Sequence, residues 1–478
     1  MRKSIAVNTI FNVLYRLLNI LFPMATSVYL ARVLGPIYIG KVSYAQNILS
    51  YFTVVASLGI PTYGMREIAR IAGEKKQEKR LVTELILLNT ISTMLCSIAF
   101  TCFIFLIGKF RCDIKLYFCV GLSLYMNIFN VDWYFTGNEE FAYITIRSAI
   151  IKLLSLIGIF TLVKTQSDYI IYAMITSIAT TGNYLFNIFN LRKRIKLVFQ
   201  KIDIKRHLKS VFILLVTLLA TDLYNQVDVT MLGVWCTDEV VGYYSNGIKI
   251  IRIVNSVTTA ISSTIIPRMC MYYKNNRNSD FGNLFNKTLR IICMIIFPGT
   301  VGLAMLSKDI VVFFWGEAFL PTASMLLILS PMLIVIGSSY LIGSVTLTAT
   351  NNEKYLMYAT ILGAGTNICL NMLLINSMEM KGAAIASLAS ELVVFAIHFH
   401  FTKAYVKINI GRSYIMSVVA ALFVMALILQ ANKVLFSSYL YRVVFGVSLG
   451  GISYFIMLYL LRNPTMRDVV NAIKCRRR

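Results

Sequence analysis

Apolar runs of roughly 20 residues recur along the whole chain, separated by short loops that hold most of its charge. A run of that length crosses the hydrocarbon of a bilayer as a helix, because every backbone N–H and C=O is then satisfied inside the segment. In order, the runs fall near residues 8–30, 39–61, 83–107, 114–136, 144–164, 168–190, 210–233, 240–266, 288–308, 322–346, 355–376, 382–402, 413–431 and 438–461. The alternation of a membrane barrel is absent, so the chain reads as an all-α integral membrane protein of about fourteen helices. Met1-Arg2-Lys3 opens the first run. Asn12, Arg16 and Asn19 interrupt that run and no small-residue cleavage site follows, which makes it a span rather than a signal peptide.

The chain carries 46 Lys+Arg against 21 Asp+Glu, a formal net charge of +25, and 58% of its residues are hydrophobic. In a soluble protein that charge would suggest nucleic acid. Here the basic residues sit between membrane segments, so they report topology and no nucleic-acid partner is expected. With the N-terminus inside, about 30 Lys/Arg fall on the cytoplasmic side and about 8 outside, and an even number of spans returns the C-terminus to the cytoplasm. The heaviest inner clusters are Arg66, Arg70, Lys75, Lys76, Lys79 and Arg80; Arg192, Lys193, Arg194, Lys196, Lys201, Lys205 and Arg206; and Arg476, Arg477 and Arg478. They read as topology determinants and contacts to anionic membrane lipids. The nine cysteines form no C-x-x-C pair, and Cys96, Cys102, Cys119, Cys293 and Cys369 read as buried small hydrophobes. No outer loop is long enough for a catalytic platform and no P-loop appears, so a polymerase or ligase is disfavoured, and neither an enzyme nor a cofactor is expected.

Six spans precede the basic stretch 191–209, six more precede Lys403, and two remain. This divides the chain into an N-terminal lobe (1–205), a C-terminal lobe (206–405) and a two-helix appendage with a basic tail (406–478). The first span of each lobe bears a polar stripe, Asn8, Asn12, Arg16 and Asn19 in one and Thr217, Thr221, Asn225 and Asp228 in the other, at steps of four, four and three that keep one helical face. Leu34-Gly35, Gly40 and Tyr44 correspond to Leu232-Gly233, Gly242 and Asn246. Units with an even number of spans share one orientation, so the lobes are parallel repeats.

A cation at mid-span costs about 2.5 to 3.5 kcal/mol even on the lenient insertion scale, so such residues line something wet or anionic. Lys249 and Arg252 are the strongest pair, three apart on one face and too deep for easy snorkelling. Arg147 and the deeper Lys152 share a span, although Arg147 also fits a snorkelled interfacial anchor. Arg16, with Asn12 beside it on the polar stripe, completes the set. A cleft lined by these groups favours an anion, and guanidinium forks match phosphate oxygens. The membrane acids Asp132, Asp222, Asp228 and Glu391 each fit simple neutralisation of a neighbouring base. Alternatively Asp222, Asn225 and Asp228 join Asn367, Asn371 and Glu391 in a site for a coupling Na⁺ or H⁺. Tyr44, Trp133, Tyr134, Tyr224, Tyr243 and Tyr244 read by default as an interfacial aromatic belt, with sugar stacking by some of them as the alternative. His207, His398 and His400 have no partners at metal-ligand spacing and receive no role.

Several of these segments resemble the Wzx-type flippases of the multidrug/oligosaccharidyl-lipid/polysaccharide (MOP) exporter superfamily along essentially the whole chain. The likeness is carried by Ala31-Arg32-Val33-Leu34-Gly35 with Gly40 and Tyr44-Ala45; Leu58-Gly59-Ile60 leading to Arg66-Glu67-Ile68-Ala69; Asp132-Trp133-Tyr134-Phe135 with Gly137 and Glu139; Arg147 and Lys152; Asp228 with Met231-Leu232-Gly233; and Gly382-Ala383-Ala384 leading to Glu391. It implies two six-helix bundles about a cationic cavity, two extra C-terminal helices, and movement of undecaprenyl-pyrophosphate-linked O-antigen or polysaccharide repeat units across the bacterial inner membrane. It makes Arg16, Arg147, Lys152, Lys249 and Arg252 head-group ligands and Asp228 and Glu391 ion-coupling residues, with a polysaccharide polymerase and chain-length proteins as further partners. A drug or cation extruder of the same superfamily is the alternative, but a cationic substrate wants an acid-lined cleft.

Overall fold

The computed structural model describes residues 5–71, 74–199 and 202–476; the side chains of residues 5–10, 12, 13, 16, 17, 20, 21 and 472–476 lie outside the description. Helices make up nearly all of the chain, and no strand occurs among the described residues. Among the described residues, ten helices are long and apolar enough to cross a membrane by length and composition. Two of these are hairpins of two spans, and a broken span (Ile114–Tyr125, Met126–Phe129 and Asp132–Gly137) and the helix Tyr169–Arg194 bring the number to the expected fourteen.

Both hairpins follow from local chemistry. In the helix Ile5–Ser57, Pro36 lacks the N–H that an interior position needs and disfavours helical backbone in the residue before it. Gly35 adopts φ 71° and ψ 176°, which breaks the helix into arms 5–34 and 36–57. Tyr29 and Tyr38 would lie about 13 Å apart along a straight helix, yet the Tyr29 hydroxyl donates to the Val163 carbonyl (2.7 Å) and the Tyr38 ring lies against Tyr169. The two arms therefore end at the same loop. In Lys354–Thr402 the break is at Glu379 (φ 48°, ψ −126°). A straight helix would separate residues 374 and 382 by about 12 Å, but a Cβ on Gly382 would sit 2.5 Å from the Leu374 carbonyl oxygen. Only glycine permits that approach.

The chain forms two compact units, Met1–Gly233 and Val234–Arg478. In the first, the arm 5–34 packs on Phe141–Leu162, and Ile114–Tyr125 packs on Tyr169–Arg194. At the end bearing the basic loops, the short helix Ile60–Arg70 lies against Asp132–Gly137. There Gly64 faces the buried Trp133 ring and Gly137 faces the Met65 carbonyl, both closer than a Cβ would allow. Tyr63, Ile68, Leu85, Trp133, Tyr134 and Phe135 form one apolar cluster. Beside it the fully buried Glu84 carboxylate accepts from Arg80 Nε (2.9 Å), the Asp203 amide (2.8 Å), His207 Nε2 (3.0 Å) and Arg206, while Tyr63 Oη meets His207 Nδ1 at 2.8 Å. This knot fastens the segment that leads into span seven. At the opposite end, the amides of Lys164 and Thr165 and the Thr165 hydroxyl hold the exposed Asp168 carboxyl below its ordinary range.

Span seven, Lys205–Trp235, runs through the first unit for almost all its length. A polar seam ties it to the arm 36–57. Ser50 donates to Asp222 (2.9 Å), Asn47 Nδ2 donates to the Gln226 carbonyl (3.0 Å), Thr230 donates to Asn47 Oδ1 (2.7 Å), and Tyr51 and Thr230 share a hydrogen bond of 2.7 Å.

In the second unit, Asp238–Ser263 is followed by a short helix, Ile266–Lys274, that starts with Ile-Pro as Ile60–Arg70 does after span two, a second echo of the repeat. The tenth span is broken, with a π-helical turn at Tyr340–Val345. Arg412–Leu435 and Tyr439–Leu460 pack on each other and on Asn278–Trp315. The terminal helix Pro464–Arg476 is anchored by fully buried Asn463, whose Oδ1 accepts from the Thr465 and Met466 amides and whose Nδ2 donates to Ser417 (2.7 Å).

Two readings are corrected, on the aromatic residues and on the cysteines. Tyr44, Trp133, Tyr134, Tyr243 and Tyr244 are buried rather than interfacial; Gly233 leaves room for the Tyr44 ring and Gly64 for that of Trp133. Among the five span cysteines only Cys293 is buried; Cys102 and Cys369 are exposed on apolar helices, where a thiol is apolar enough to face lipid. His207 and His398 are both buried, His398 with Nδ1 at 2.8 Å from the Ser339 hydroxyl.

Candidate anion-binding site

A cavity of about 390 Å³ opens in the first unit, lined from spans one, five and six. Residues 147, 148, 151, 152 and 155 form one face of Phe141–Leu162; 176, 179, 180, 183 and 184 form one face of Tyr169–Arg194; and Tyr15, Asn19 and Phe22 face them from the first span. Asp132, first residue of its short helix, completes the lining. Arg147 lies six residues into its helix, about 9 Å along the axis, and Lys152 about 16 Å, roughly half the hydrocarbon thickness.

The Arg147 side chain is buried and spends three of its five N–H donors within the protein. Nε donates to Asn183 Oδ1 (3.0 Å), one terminal nitrogen to Asn187 Oδ1, and the other to Asp132 Oδ1 (3.1 Å). Asn187, fully buried, turns its own Nδ2 to Asp132. One amide thus accepts from the guanidinium and donates to the carboxylate, a bridge that needs both halves of an asparagine. Lys152 has no carboxylate partner among the described residues. Its ammonium donates to Asn19 Oδ1 (2.5 Å) and the Leu18 carbonyl (3.2 Å), leaving one N–H for a ligand. Two cations against one carboxylate leave the described lining with one net positive charge.

The sequence-derived residues are distributed as follows. Arg147 and Lys152 share this cavity. Asn12 and Arg16 lie on the helix that lines it, with side chains outside the described residues. Lys249 and Arg252 belong to the second unit; the Lys249 ammonium donates to Asn246 Oδ1 (2.7 Å), and Arg252 is on the exposed face. Of the six residues assigned to ion coupling, Asp222, Asn225 and Asp228 are in the first unit and Asn367, Asn371 and Glu391 in the second. Asp222 accepts from Ser50, Asn225 donates to the Thr221 carbonyl (2.8 Å), and Asn371 donates to Asn367 (3.0 Å). No group of three or more His, Cys, Asp or Glu side chains suited to a metal ion occurs among the described residues.

Residues 5–273 match the sequence profile of the polysaccharide biosynthesis protein family, more than half of the chain, and residues 236–450 match that of the lipid II flippase MurJ. The chain belongs to the polysaccharide biosynthesis protein family. This family member is 24% identical over 411 residues to a putative O-antigen transporter of Escherichia coli K12, covering 84% of this chain and 97% of that one. It is 26% identical over 212 residues to a probable low-salt glycan biosynthesis flippase of Haloferax volcanii, 44% of this chain and 45% of that relative, so it matches under half of the latter's length. Among solved structures, lipid II flippase MurJ in an inward closed conformation superposes with a TM-score of 0.79 at 16% identity, covering 97% of this chain and all of that one. An inward-facing multidrug MATE transporter gives 0.62 at 14% identity over 80% of this chain and 93% of that one. At these identities the likeness is one of fold.

In this family member, Asn183 and Asn187 are the site residues the sequence reading missed. Their signal was present as Thr180, Asn183, Asn187 and Asn190 at helical spacing on the sixth span. Asp132 neutralises Arg147, as anticipated for a membrane acid beside a base.

Proposed function

We propose that the protein is a flippase that carries undecaprenyl-pyrophosphate-linked oligosaccharide repeat units from the cytoplasmic to the periplasmic leaflet of the inner membrane. One observation carries the reading: Lys152 and Arg147 meet at membrane depth in a hydrated-size cavity whose described lining has a single carboxylate. An unneutralised ammonium there is costly unless a ligand or water serves it, and a phosphorylated head group is the matching anion. Lys249 and Arg252 are a separate pair of candidate cationic contacts in the second unit, and Arg16 and Asn12 are candidate head-group contacts by their place in the sequence of span one. The family assignment and the names of the relatives support the glycan-lipid substrate class.

In this reading the protein alternates access while the isoprenoid tail stays in lipid. The termini are cytoplasmic, as the loop charges favour. Moving two negative charges outward along an inside-negative potential gains roughly 4.6 kcal/mol per 100 mV, and binding of Na⁺ or H⁺ at the polar groups of the first unit (Asp222, Asn225 and Asp228) or of the second (Asn367, Asn371 and Glu391) resets the cycle. A polymerase and chain-length proteins take up the product. Deletion should accumulate a lipid-linked glycan on the cytoplasmic face, identifiable by mass. Its absence, with polymer made at the normal rate, would overturn the assignment.

A further inference from the structure

The Arg147 site contains its own anion. Its guanidinium is buried, with side-chain exposure of 5%, whereas Asp132 is 39% exposed and lines the cavity. Only Asp132 Oδ1 is engaged by Arg147 and Asn187. A partly exposed carboxylate with one oxygen engaged leaves its base for water at less cost than a buried one with both oxygens paired, as Glu84 is. Here the base is locked by Asn183 and Asn187 while the acid sits at the cavity surface. An anion entering the cavity meets two unspent guanidinium donors and the third ammonium donor of Lys152, with Asp132 as the competing charge.

We propose that Asp132 is a displaceable counter-ion: it occupies Arg147 while the cavity is empty and yields that place to a phosphate oxyanion of the ligand. This rests on the head-group reading above. Asp132 then limits how tightly the empty cavity holds phosphate and drives its release, since the carboxylate returns to Arg147 as the head group leaves. Asn187 is the positioning residue, because its amide holds Asp132 and Arg147 in register.

The test is binding of undecaprenyl pyrophosphate, and separately of inorganic pyrophosphate, to the full chain in nanodiscs, together with flipping rates in proteoliposomes. Asp132→Asn should tighten both ligands by the same factor, on the order of tenfold, while slowing turnover, so that KM and kcat fall together. Asp132→Glu, which keeps the charge, should restore turnover. If Asp132→Asn is not recovered as a monodisperse protein, Asn187→Ala carries the test and should tighten binding in the same direction by a smaller factor. Unchanged or weaker binding in these variants, alongside lost binding in Lys152→Gln, would overturn the counter-ion and leave the head-group site standing. Unchanged binding in Lys152→Gln as well would overturn the site itself.

Discussion

Lys152→Gln isolates the one cation of the cavity that no described carboxylate neutralises. Two of the three ammonium donors are spent on Asn19 and the Leu18 carbonyl. The substitution therefore removes one charge-assisted hydrogen bond to the ligand, worth about 1.5–3 kcal/mol. At about 1.4 kcal/mol per decade, affinity for undecaprenyl pyrophosphate should fall about ten- to 150-fold. Glutamine keeps an N–H donor for Asn19, so the helix contacts survive and the loss is electrostatic. Lys152→Met would leave Asn19 Oδ1 unpaired and confound the reading with packing. Binding in nanodiscs gives Kd, and the same protein in proteoliposomes gives the flipping rate. Lys152→Arg should recover most of the affinity. A Kd within twofold of the native protein in Lys152→Gln would show that no phosphate reaches the ammonium.

Other perturbations probe the groups around the cavity. Glu84→Gln removes the charge that gathers Arg80, Arg206 and His207; because both arginines keep 36–41% side-chain exposure, the cost should be about 2–3 kcal/mol rather than the full buried-pair penalty, read as a lower thermal-unfolding midpoint in detergent. Gly137→Ala places a Cβ 2.8 Å from the Met65 carbonyl oxygen and should destabilise by about 1–3 kcal/mol, whereas Gly108→Ala, with nothing within 4 Å, should be silent. Cysteines at Asn47 and Thr230 joined by a short bis-maleimide would lock the seam between spans two and seven; flipping should stop if these helices separate during the cycle, and full activity of the crosslinked protein would make the seam static.

The fold was legible because membrane helices announce themselves by length and polarity, and each of the fourteen apolar runs has a helical counterpart. The hairpin at Gly35-Pro36 was marked by its residues; the one at Glu379 was not, since its signature is the contact of Gly382 with the Leu374 carbonyl rather than a helix breaker at the bend. The site was legible only through its charges. Arg147 and Lys152 stand out because a base in hydrocarbon is costly, but asparagine in a span carries a weaker penalty and Asn183 and Asn187 drew no notice. The aromatic residues misled for the opposite reason: rings near polar stretches default to the interface, and the glycines that reveal burial, Gly233 opposite Tyr44 and Gly64 opposite Trp133, are distant in sequence.

The polar groups of the first unit differ in how fully their hydrogen bonds are spent, and that difference separates support from chemistry. The Glu84 carboxylate has four donors on two oxygens, and the Asn47 amide is engaged on both sides. Such saturated networks are rigid, because any displacement leaves a buried group unpaired. Arg147 retains two donors and Lys152 one, and both face the same cavity. In a low-dielectric surround water can accept from those donors, but an oxyanion also neutralises the charge, which makes it the stronger partner. The motifs that carry the family likeness around Gly64, Trp133 and Gly137 build the rigid end. They hold Asp132 at the edge of the cavity that Arg147 and Lys152 line.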